Sequence, residues 1–75
     1  MVKYIWVDKN YNMYTKEMIP DTYLKRILEV MNKGLGWRNY ITEETIDELF
    51  NEAKKRKIKH NINKRRVKNI FCLGR

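Results

Sequence analysis

Seventy-five residues carrying 17 Lys or Arg against nine Asp or Glu give a formal net charge of +8. A chain of this length supports one small domain near the lower limit of independent stability, helped by a partner or by self-association into a homodimer. A hydrophobic content of 43% excludes a disordered chain. Cys72 is the single cysteine, which excludes an intrachain disulfide. Secreted domains this small ordinarily need such staples, so a cytoplasmic setting is expected, with no signal peptide and no membrane span.

Residues 3–7, Lys-Tyr-Ile-Trp-Val, are β-branched and aromatic. The turn formers Asp8-Lys9-Asn10-Tyr11-Asn12 follow, and Met13-Tyr14-Thr15 resumes an extended pattern. This is the signature of a β-hairpin, which must pack on helices because two strands alone are not stable in water. Pro20 suits the first turn of a helix, and Asp21 complements its dipole. Ile19, Tyr23, Leu24, Ile27, Leu28 and Met31 recur at helical spacing, and Gly34 supplies a stop, so the first helix spans 20–33. Gly34 and Gly36 do not make a phosphate loop, because the preceding strand, the third glycine and the Lys-Ser/Thr pair are missing.

Thr42 is a good N-cap for a second helix over 43–58 with Ile46, Leu49, Phe50 and Ala53 on its apolar stripe. Acids crowd the start of that helix and bases its end, as the helix dipole prefers. Past Ile58 the pattern is less decided. A third helix on Val67, Ile70 and Phe71 and a strand alternating Val67, Asn69 and Phe71 both fit, the helix slightly better. The expected fold is therefore α+β: an N-terminal hairpin packed on two helices over 1–58, followed by a basic segment, 59–75, that forms a third helix or a strand.

The charges are unevenly placed. Residues 1–52 hold seven cations and nine acids, whereas residues 53–75 hold ten cations and no acid. Lys54, Lys55, Arg56, Lys57, Lys59, Lys64, Arg65, Arg66 and Lys68 are the candidate polyanion-binding set, with Arg56, Arg65 and Arg66 as principal anchors. Such a cluster attracts phosphates and releases their counterions. Asn61, Asn63 and Asn69 are interspersed as donors to sugar, phosphate or base edges. A merely solubilising surface would mix the two signs of charge.

Among the aromatics, Trp6 and Trp37 suit the core of a small protein. Tyr11, in the turn, is the best exposed contact residue, and Trp37 and Tyr40 are candidate interface anchors. One His and one Cys cannot furnish a metal site, so no metal or cofactor is expected. The chain contains no serine. The carboxylate pairs Glu44/Glu48 and Glu48/Glu52 are expected on a solvent face, where nothing would desolvate them for acid–base work. An enzyme is not expected.

The Trp6 hairpin with its Asp8-Lys9-Asn10 turn, Met18 leading into Tyr23-Leu24, and Glu52-Ala53-x-x-Arg56 carry a resemblance over residues 1–58. In these residues the chain resembles small accessory proteins encoded by phages and prophages of low-GC bacteria. The resemblance implies an accessory role in a host cell's cytoplasm and brings no activity or site residues. The basic extension after Ile58 departs from the usual pattern. Two functions follow from residues and resemblance together: nucleic-acid binding through the basic end, or inhibition of a host protein or ribonucleoprotein such as a defence (CRISPR-type) nuclease.

Overall fold

A computed structural model describes residues 3–35, 39 and 41–71. It shows a small α+β fold in which a two-stranded antiparallel hairpin is followed by three helices. The hairpin is short: β1 is Trp6–Val7 and β2 is Met13–Tyr14, with Trp6 opposite Tyr14 and Val7 opposite Met13. Its turn is organised by Asp8. One carboxylate oxygen accepts the Asn10 and Asn12 N–H groups at 2.8 and 2.9 Å. The other accepts from Asn12 Nδ2 and the Tyr14 hydroxyl at 3.1 and 3.0 Å. Partial desolvation pushes the Asp8 carboxyl up, but these bonds outweigh it and hold its pKa below the ordinary value. The tight turn places Tyr11 in the left-handed region at φ 65°, which is uncommon for a residue with a side chain. The outer edge of β1 is closed by a side chain: Val7 N–H donates to Asn39 Oδ1 at 2.7 Å, and Asn39 Nδ2 donates to Val7 O at 3.1 Å. An amide thus takes the place of a third strand at an otherwise open edge.

A short 3₁₀ turn, Lys16–Met18, leads into α1, Asp21–Asn32. Pro20 is the extended residue ahead of the helix (φ −64°, ψ 155°), not part of its first turn as its sequence position suggested. The stop at Gly34 is as expected. Gly34 has φ +76°, its N–H donates to Met31 O, and Leu35 N–H reaches back to Val30 O, which satisfies the last carbonyls of the helix.

The second helix, α2, is Glu43–Lys55, capped by the Thr42 hydroxyl accepting from Thr45 N–H. It stops three residues short of the expected 58, and the reason is local. Lys57 adopts φ 59°, and Lys57 N–H and Ile58 N–H bond back to Lys54 O and Ala53 O. That is the same terminus Gly34 makes, built here on a lysine.

The third helix, α3, is Lys64–Phe71, so the helical reading of the basic segment holds. Asn63 caps it, Oδ1 accepting from Arg65 and Arg66 N–H at 2.8 and 3.2 Å. Ion pairs from Lys64 to Asp47 and from Lys68 to Glu43 set α3 antiparallel to α2. Val67 is fully buried among Leu24, Leu28, Ile46 and Leu49 in the one core cluster. Ile58, Ile62 and Phe71 pack against it, so residues 59–71 are built into the same core as the rest of the chain. Trp6 is 4% exposed and belongs to that core; Trp37 lies outside the described residues.

Candidate polyanion-binding surface

The fold divides the nine candidate cations into two groups. Arg56 is the clearest of the inward group. Its side chain, 18% exposed, pairs through Nε with Glu52 at 2.8 Å and through Nη1 with Asp21 at 3.1 Å. Nη1 also donates to Ile19 O, and Nη2 donates to Lys16 O at 2.9 Å. Burial works against the guanidinium charge, yet the bonds to Glu52 and Asp21 outweigh it and raise its pKa further. Arg56 therefore ties the C-terminus of α2 to the turn before α1, and four of its five N–H donors are spent on the fold.

Lys64 and Lys68 are spent similarly. Their ammonium groups meet Asp47 Oδ1 at 2.8 and 3.0 Å, and Lys68 also reaches Glu43 at 3.4 Å. The hydrogen bond from Lys64, then that from Lys68, holds the Asp47 carboxyl below its usual range. Asp47 in turn raises Lys68. On the opposite flank of α2, Lys3 bridges Glu44 and Glu48. The acids that looked like a solvated helix face are thus partners for cations. Glu52, expected on the solvent face, is buried at 9% because Arg56 compensates it.

Six candidates remain: Lys54, Lys55, Lys57, Lys59, Arg65 and Arg66 are exposed, and none pairs with an acid among the described residues. Lys54 and Lys55 end α2, Lys57 projects from the left-handed stop, and Lys59 follows in the connection. At 100° per residue, Val67 and Phe71 turn α3 inward, and Arg65, Arg66 and Asn69 share its outward face. Lys16, which charge counting left in the neutral part of the chain, joins this end of the molecule because its carbonyl is held by Arg56. Nothing in the sequence marks it. Of the three asparagines, Asn63 has its amide oxygen committed to the α3 cap, whereas Asn61 and Asn69 are exposed.

Tyr11 is 73% exposed at the hairpin tip. Trp37, Tyr40 and Cys72 lie outside the described residues. His60 has a structural role: its Nδ1 accepts from Ile62 N–H at 3.1 Å, and its ring stands edge-on to Phe50 at 5.6 Å. Among the described residues no three His, Cys, Asp or Glu side chains are grouped to hold a metal ion, and no helix is long and apolar enough to cross a membrane. No family model, curated protein or solved structure matches this chain.

Proposed function

We propose that the chain is a non-catalytic accessory protein that binds nucleic acid, in the cytoplasm of the cell that contains it, through Lys54, Lys55, Lys57, Lys59, Arg65 and Arg66. The observation that carries this reading is the division of the cations. Every acid of α2 has a cationic partner, and the six residual cations stand exposed on α2's end, the connection and α3's first turn. Unpaired cations on a rigid scaffold release the counterions of a phosphate backbone on contact, and they need no base-reading motif. The expected complex is strongly salt-dependent and weakly sequence-specific.

The test is a salt titration of binding to duplex DNA, single-stranded DNA and RNA. Six phosphate contacts predict a slope of log K against log salt of about −5 on duplex DNA. Reversing Lys54, Lys55, Arg65 and Arg66 to Glu should remove most of the slope. A salt-independent affinity, or one the reversal leaves intact, refutes the reading. Substitution is the right perturbation, because ending the chain at Ile58 would strip Val67 from the core. The second reading, inhibition of a host protein or ribonucleoprotein, would seat the same basic end on an acidic surface of that partner.

A further inference from the structure

The hairpin and α1 enclose a groove of about 680 Å³. Trp6, Tyr23, Ile27 and Val30 lie along it, the last three on one i, i+4, i+7 row of α1. Met18, before α1, and Leu35, after it, also line the groove and are 55% and 52% exposed, so two of the large exposed apolar side chains among the described residues sit here. The cations lining it, Lys9 and Arg26, are exposed and have no ion pair with a described residue. Its single acid, Asp8, has both oxygens committed to hydrogen bonds within the hairpin. Those donors are uncharged and leave Asp8 ionised, so two cations face one carboxylate and the described lining carries a net charge of +1.

We propose that this groove receives an acidic amphipathic helix of a partner protein, apolar side chains laid against Met18 and Leu35 and carboxylates meeting Lys9 and Arg26. The backbone argues for a helix over an extended segment. Adding a strand to β1 requires Val7 N–H and C=O, and Asn39 already holds both. What remains is burial of side chains along a helix roughly 18 Å long, which a second helix supplies. Single-stranded nucleic acid needs exposed aromatic faces to stack on, whereas Trp6 here is buried, Tyr14 and Tyr23 are half-buried, and the exposed apolar side chains are Met18 and Leu35. A second copy of the chain would bring another +8 of like charge.

The probe is a synthetic helical peptide of about 16 residues, ~24 Å long, with Leu on one face and Glu on the other. It is titrated into the ¹⁵N-labelled full chain beside its Lys-for-Glu counterpart and a single-stranded oligonucleotide. The Glu peptide should shift the Trp6 indole N–H and the Tyr23, Ile27 and Val30 amides. Met18→Asp with Leu35→Asp should weaken it about tenfold or more, and Lys9→Glu with Arg26→Glu should transfer the preference to the Lys peptide. All four positions are exposed, and retained spectral dispersion verifies folding. Lys54→Glu with Lys55→Glu should leave the peptide response unchanged, which separates this surface from the basic one. The proposal is overturned by no shift at about 1 mM peptide, by equal response to both peptides, by groove resonances that move with the oligonucleotide instead, or by shifts that depend on protein concentration alone.

Discussion

Replacing Arg56 by Ala separates a structural guanidinium from a phosphate contact. The Glu52 side chain, 10% exposed, would lose its charged partner. Stranding one member of a buried pair costs about 3–5 kcal/mol. The Asp21 arm adds little, since that carboxylate is 70% exposed and surface pairs are worth roughly 0–1 kcal/mol. The Ile19 and Lys16 carbonyls lose a charged donor, but water recovers part of that where the chain is open. A net loss of about 3 kcal/mol is expected from the low end of the buried-pair range. At roughly 0.05–0.15 kcal/mol per residue the whole domain holds about 4–11 kcal/mol, so this is a large fraction. It corresponds to a fall in Tm of about 12–24 °C for a domain of this size. Urea and thermal unfolding followed by far-UV circular dichroism measure it. Arg56→Lys should recover less than half, because an ammonium cannot reach four acceptors at once. In a double-mutant cycle, Glu52→Gln should cost much less once Arg56 is gone. If Arg56→Ala costs under about 0.5 kcal/mol while nucleic-acid affinity falls as it does for Lys54→Glu, Arg56 is a ligand contact and the division of cations drawn above is wrong.

Lys57→Gly removes a side chain from the left-handed stop of α2 and should stabilise the fold by about 1 kcal/mol; because it also deletes an exposed cation, it should make the salt slope shallower by about one. Val67→Ala should cost about 2 kcal/mol in urea unfolding, whereas a C-terminal segment lying loose on the surface would tolerate it without loss. The Asp47 pKa lies below its ordinary 3.8, so the folded state binds fewer protons than the unfolded chain in that window. Its contribution is fully present above the unfolded pKa and is lost as pH falls through the folded one. The urea midpoint should therefore drop below about pH 4, and Asp47→Asn should flatten that drop; an unchanged acid limb would show that the Lys64 and Lys68 pairs contribute nothing.

The hairpin and the first helix were legible because their signals are local. The turn Asp8–Asn12 uses side chains whose hydrogen bonds lie within six residues, and Gly34 occupies a position that favours glycine. The end of α2 was not legible because the same terminus is built on Lys57, a residue with no preference for positive φ. The third helix hung between two periods because it is eight residues long and buries only Val67 outright. One short stripe cannot separate a 3.6 period from a period of two. Its deciding signal was Asn63, a cap residue ahead of the basic run, which reads as a break until the Arg65 and Arg66 amides are seen to point at it.

The surface was legible in sign and illegible in membership. Counting charges places ten cations in the last 23 residues, but a count cannot say which of them face acids. Glu52 to Arg56 was within reach of sequence reasoning, as an i,i+4 pair on one helix. Lys64 and Lys68 with Asp47 were not, because that match depends on α3 running back along α2. Arg56 shows the consequence. By sequence it is one of three principal phosphate anchors, with Arg65 and Arg66; in the fold it is the one whose charge is most thoroughly used. The acids of α2 carry the converse lesson. They complement the helix dipole as their positions suggest, yet their larger effect is to draw Lys3, Arg56, Lys64 and Lys68 onto the fold, leaving the other cations to define a surface by what the acids do not neutralise.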